Sequence, residues 1–134
     1  MPLRFLVDTD TCIYVRSKHP RVVARFEKLQ PGEVGLSVIT YGELAYGVHR
    51  SADPARAQTN FERLLALLPV LPIERKAGIH YGAVRATLAR AGETIGPNDI
   101  WIAAHALAAN LVLVTNNERE FKRVKDLKIE NWAK

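Results

Sequence analysis

The chain has 134 residues, 48% apolar and 25% charged, a balance that excludes wholesale disorder and fits one folded domain over residues 1–134. A single cysteine, Cys12, excludes an internal disulfide, and without a charged-then-apolar leader or an apolar stretch near twenty residues the expected setting is cytoplasmic and off the membrane. The net charge of +5 and pI near 9.6 favour an acidic partner without naming one.

Residues 4–7 form the first predicted strand, which breaks abruptly into two acids and two hydroxyls in the stretch "FLVDTDT". Val22, Val23, Phe26 and Leu29 then recur at helical spacing. A second strand is predicted over 34–38, followed by "TYGEL" with Glu43 in the first turn of a helix. Phe61, Leu64, Leu65 and Leu68 mark another helix, and residues 70–73 a third strand. Ile79, Ala83, Ala86 and Leu88 suggest the apolar face of a long helix ending at Ala91-Gly92. Residues 97–109 are apolar almost all round and read as a buried helix opened by Gly96-Pro97. A fourth strand over 111–115 and a weaker fifth over 128–132 complete the chain. The first and fourth runs are continuous rather than alternating, as in strands buried on both faces. Strands separated by helices predict an α/β/α sandwich around a mainly parallel sheet of four to five strands.

In such a sheet ligands bind beyond the carboxyl ends of the strands. Asp8, Glu43, Asp99, Asn117 and Glu120 all fall in strand-to-helix switch regions of this pattern. Each also has an ordinary explanation. Thr40 to Glu43 and Asn117 to Glu120 fit capping boxes, Asp8 suits an N-cap, and Asp99 complements a helix dipole. The combination points further. If Asp8, Glu43 and Asp99 share one cleft, their repulsion must be relieved by protonation or by a cation. A hard divalent ion such as Mg²⁺ takes oxygen ligands and is commonly held by one or two carboxylates together with substrate phosphate. Helix starts at the same edge favour anions. The chemistry that follows is metal-assisted hydrolysis of a phosphodiester.

At this point the sequence resembles the PIN-domain nucleases, and among them the VapC-type ribonuclease toxins of type II (VapBC) toxin–antitoxin pairs. The matching pieces are "FLVDTDTCIY", "LSVITYGELAYGV", "GPNDIWIAAHAL", "LVLVTNNEREF" and the terminal "IENW", in order over nearly the whole chain. The resemblance implies a PIN-like domain and a Mg²⁺-dependent endoribonuclease, with Mn²⁺ as a substitute. Asp8, Glu43 and Asp99 become its catalytic and metal-site acids, Glu43 directly or through water. Thr9 and Thr115 stand where relatives place a hydroxyl beside the acids. Asn117 occupies the position of a fourth acid in many relatives, with Glu120 nearby to compensate; Asn116 and Asn117 are candidates to hydrogen-bond water or phosphate. It also implies an RNA substrate, with a tRNA anticodon loop, initiator tRNA first, as the leading candidate. The implied partners are a VapB-type antitoxin that closes the cleft with its C-terminal segment, a second copy in a homodimer, and larger toxin–antitoxin complexes.

Other residues weigh less. His19, His49, His80 and His105 form no ligand spacing and read as structural, as does Cys12. Arg119, Lys122 and Arg123, and the group Arg16, Lys18, Arg21 and Arg25, are either solvated faces or RNA contacts flanking the acids. Trp101 and Trp132 read as core or subunit contacts. Two rival functions remain. Asp8-Thr9-Asp10 supplies the paired acids of the D-x-D-x-T motif of haloacid-dehalogenase-type phosphatases, but only 19 residues follow Thr115, too few for the lysine and acidic motif which that chemistry requires. A catalytically degenerate PIN fold that binds RNA or protein is the alternative from another class. On the nuclease reading Asp8 belongs to the metal, and Asp10 is a helix-start residue at the rim.

Overall fold

The computed structural model describes residues 2–134. Strand β1 (Phe5–Val7) leads into α1 (Thr9–Arg16) and α2 (Pro20–Glu27), and β2 (Val34–Ser37) into α3 (Val38–Arg50) and α4 (Pro54–Leu67). Then come β3 (Val70–Leu71), α5 (Arg75–Ala91), α6 (Pro97–Ala109), β4 (Val112–Val114), α7 (Glu118–Phe121) and β5 (Ile129–Glu130). The strands form one five-stranded sheet in the order β3-β2-β1-β4-β5, and every pairing is parallel. Phe5 pairs with both Val34 and Val112.

Alternation along β1 explains its continuous apolar run. Phe5 and Val7 pack with α1 to α4 on one face, through Val22, Leu44, Phe61 and Leu64. Leu6 packs on the other with Leu88, Ile102, Ala103 and Ala106 of α5 and α6. Successive side chains of a strand point to opposite faces, so a strand covered on both sides is apolar throughout. The expected α/β/α sandwich is therefore present, with the sheet wholly rather than mainly parallel. Among the described residues no helix is long and apolar enough to cross a membrane.

Two local readings change. Helix α3 follows β2 without a loop, because the Ser37 hydroxyl accepts the Ile39 N–H at 3.1 Å and caps the helix there. Glu43 consequently lies in the second turn, and the Thr40 hydroxyl, which a capping box would have used, is buried without a partner. On α5 the buried face runs through Ala77, Tyr81, Val84 and Leu88 rather than through Ile79, which is 76% exposed. The helix does end where expected, at Gly92 in the left-handed region (φ 67°).

Gly35 of β2 sits where the edge strand comes closest. A Cβ there would lie 3.0 Å from Leu71 Cδ1 and 3.1 Å from the Pro69 carbonyl oxygen, and the backbone atom has little room to yield. Gly35→Ala is expected to destabilise the fold by about 1–3 kcal/mol, read as a lower urea midpoint at unchanged slope. An unaltered midpoint would show that β3 gives way freely.

Candidate active site

The sheet's strand order reverses between β1 and β4, the place where an open parallel sheet leaves a crevice. Asp8 stands at that point. Its N–H continues the β1–β4 ladder to the Val114 carbonyl at 2.8 Å. The chain then turns into α1, and Asp8 Oδ1 caps it by accepting the Thr9 N–H at 2.8 Å. Asp8 Oδ2 accepts the Thr115 hydroxyl, also at 2.8 Å. The Thr115 oxygen in turn accepts the Asn117 N–H at 3.0 Å, which fixes the direction of its proton toward Asp8. The cap expected of Asp8 is present, and the same side chain faces the crevice.

Neighbouring elements bring the other acids to it. Thr9 Oγ1 donates to Glu43 Oε1 at 2.7 Å, tying the start of α1 to the second turn of α3. Asp99 lies in the first turn of α6, which Pro97 opens without a side-chain cap. Asn117 Nδ2 donates to Glu120 Oε2 at 3.2 Å. Asn117 makes no side-chain cap bond to α7, so the expected capping box is replaced by a link that holds Glu120 beside the edge. Asp10 is also drawn in: the Asn116 N–H reaches its two oxygens at 3.3 and 3.2 Å.

The repulsion among these groups shows in their proton affinities. Burial, then Asp10, then Asp99 push the Asp8 carboxyl up to about 7 despite the hydrogen bonds from Thr115 and Thr9. Burial, then Glu43, Glu120 and Asp10 push Asp99 up to about 6. Carboxylates crowded in this way are stabilised in their charged form by a nearby positive charge.

A model of the PIN domain matches residues 5–127. The chain is 41% identical over 131 residues to the tRNA(fMet)-specific endonuclease VapC of Salmonella typhimurium, spanning 98% of this chain and 99% of that protein. It is 41% identical over 132 residues to ribonuclease VapC2 of Haemophilus influenzae, with the same shares covered. The chain belongs to the VapC ribonucleases of the PIN-domain family. The fold agrees: VapBC2 from Rickettsia felis, solved bound to a DNA fragment from its promoter, superposes with a TM-score of 0.91 at 36% identity, over 97% of this chain and 99% of that one. As a VapC-family member the protein is a ribonuclease toxin of a toxin–antitoxin system, and the phosphatase reading of "DTDT" falls away.

Within this VapC fold the remaining singled-out residues sort clearly. His105 is buried, with Nδ1 2.9 Å from the Ser37 hydroxyl, and burial lowers its pKa. His19 caps α2 through the Val22 N–H at 3.4 Å. Cys12 is fully buried, and its thiol pKa is pushed up by that burial. Trp132 packs edge-on against Phe5 with ring centroids 5.3 Å apart. Of the three basic residues singled out after β4, Arg123 is occupied, donating to the Glu93 and Thr94 carbonyls at 3.4 and 3.2 Å. Arg119 and Lys122 are exposed. Asp10 lies in the first turn of α1, the helix start at which the nuclease reading set it, and adds its charge beside Asp8.

The donor set suits a hard cation, since Asp8, Glu43 and Asp99 offer only oxygens and repel one another. Among the described residues no three acidic, histidine or cysteine side chains stand close enough to hold one ion by themselves. An ion held here would take one or two of the carboxylates directly and complete its shell with water.

The raised pKa values set the pH dependence of the cation-free protein. The Asp8 carboxyl keeps its proton in the fold up to about pH 7, whereas the unfolded chain loses it near 3.8. Its contribution is complete below pH 4 and lost as pH rises to about 7; Asp99 acts likewise up to about 6. In EDTA, Asp8→Asn is expected to raise the Tm by roughly 5 °C or more at pH 8 and to leave it little changed at pH 4. An equal effect at both pH values would contradict the burial of a charged Asp8.

Proposed function

We propose that residues 1–134 form one Mg²⁺-dependent endoribonuclease domain in which Asp8, Glu43 and Asp99 hold the cation and initiator tRNA is the substrate. The observation that carries this reading is the gathering of these acids, with Asp10 and Glu120, at the strand-order reversal, with Asp8 and Asp99 titrating near 7 and 6. When bound, a divalent cation supplies Lewis-acid stabilisation of charge on the phosphate and makes water a competent nucleophile at neutral pH. The chain's own groups do the rest. Asp8 is fixed by Thr9 and Thr115 and offers its remaining lone pairs to the crevice. The Thr9 hydroxyl occupies Glu43 Oε1 and leaves Oε2 to orient water or take its proton. Asp99, half-buried at the start of α6, shares the cation, and Glu120 adds negative charge from the position where Asn117 replaces an acid. The tRNA assignment is supported by the name of the Salmonella typhimurium relative. A VapB-type antitoxin as partner is supported by the VapBC complexes of similar fold. A homodimer within such complexes belongs to the same reading.

Cleavage of 5′-labelled initiator tRNA, with elongator tRNA as control, tests this directly. Cutting is expected with Mg²⁺ or Mn²⁺ and not with EDTA, and Asp8→Asn or Asp99→Asn is expected to slow it roughly 100-fold or more. Cleavage undiminished in both variants or in EDTA would defeat the metal-site assignment. A wild type that binds RNA and cuts none would instead support the degenerate binding module, for which Asn117 is the motive. Arg119→Gln and Lys122→Gln are expected to weaken RNA binding uniformly and lower the salt slope by about 1 each; an unchanged slope would make these residues a solvated face.

A further inference from the structure

A groove of about 1070 Å³ lies between α1, α3 and α4. One end is lined by Thr9, Glu43 and Asn98, so it opens from the acid cluster itself. The other carries Tyr46, Arg16, Arg50 and Arg56. Its axis follows α3: Tyr46 lies one turn beyond Glu43, and Arg50 one turn further, about 10 Å from Glu43 along the helix. Gly42 and Gly47 leave the floor open, since a Cβ at either would meet nothing within 4 Å.

Tyr46 is 65% exposed, and the Arg50 guanidinium stands 5.4 Å from its ring centroid. An aromatic ring set in solvent with a cation beside it adds little to the core. It is, however, what an unpaired base stacks on, and arginines along the same groove neutralise phosphates. Three exposed arginines face only Asp53 beyond the acid end of the groove. That excess of positive charge, continuous with the acids, complements a polyanion, while Ile13 and Val38 of the same lining, 39% and 40% exposed, offer apolar surface to a nucleobase.

Resting on the nuclease reading, we propose that this groove carries the single-stranded RNA on one side of the scissile phosphodiester. Tyr46 stacks a base there, and Arg16, Arg50 and Arg56 hold the adjoining phosphates. Tyr46 and Arg50 are then binding residues that set which loop nucleotides flank the cut, distinct from the acids that cut.

The test uses the full chain and a fluorescein-labelled initiator tRNA anticodon stem-loop. Binding is read by anisotropy in the Asp8→Asn background, so that it does not depend on cleavage. Tyr46→Ala is expected to weaken binding roughly tenfold, while Tyr46→Phe keeps it within about twofold. Arg50→Gln and Arg56→Gln are each expected to lower the salt slope by about 0.7. With Asp8 restored, Tyr46→Ala is expected to raise KM and leave kcat. Unchanged affinity and salt slope in Tyr46→Ala and Arg50→Gln would overturn the proposal; so would a loss confined to binding of a purified antitoxin, which would make the groove a protein site. Absence of cleavage by the wild type would defeat the nuclease reading while leaving the binding comparison intact.

Discussion

The structure turns on one buried carboxylate. Asp8 is only 6% exposed, lies at the junction of the two central strands, and is surrounded by other acids. A fold dominated by its own stability would not place a carboxylate there. What keeps it in position is a chain of hydrogen bonds from rigid elements: the Val114 carbonyl to its N–H, Thr9 N–H to one oxygen, Thr115 hydroxyl to the other, and Asn117 N–H behind Thr115. The Thr115 and Thr9 bonds favour the charged form, whereas burial and the neighbouring acids oppose it, and the opposition prevails. The site is thus organised for a negative charge that it cannot comfortably carry alone. On the proposed nuclease reading, a divalent ion would relieve that conflict.

The surrounding polar web makes the arrangement a property of the whole sheet edge rather than of one loop. Thr9 joins α1 to α3 through Glu43. Asp10 joins α1 to the loop after β4 through the Asn116 N–H, and Asn131 Nδ2 holds that loop from the last strand by bonding Asn116 Oδ1 at 3.2 Å and Glu118 Oε2 at 3.0 Å. Deeper in, the His105 and Ser37 pair fastens the middle of α6 to the cap of α3. The helices that deliver Glu43 and Asp99 are therefore fixed relative to one another, as a site placed on helices and strand ends requires.

Much of this was legible in the sequence because it rests on short-range signals. The continuous apolar runs gave β1 and β4 away, Gly96-Pro97 opened α6, and Gly92 closed α5. Misreadings came where two local signals compete. Thr40 to Glu43 has the spacing of a capping box, but Ser37 reaches the free N–H groups first and moves the helix start back three residues. Ile79 fits a helical stripe, yet the stripe through Ala77, Tyr81, Val84 and Leu88 meets α6, with Tyr81 stacked 4.0 Å from Trp101. Spacing defines faces without saying which face has a neighbour. The groove beside α3 depends on packing between distant segments. No local pattern carries that information.

The central claim is that the strain among these acids is relieved by a divalent cation. Calorimetric titration of Mn²⁺ into the full chain, in buffers of different ionisation enthalpy, tests it most directly. At pH 6 binding should release protons, between about one and one and a half per ion, because Asp8 and Asp99 titrate near 7 and 6; at pH 8 it should release almost none and be tighter. Absence of binding, or binding with no proton released at pH 6, would contradict the account.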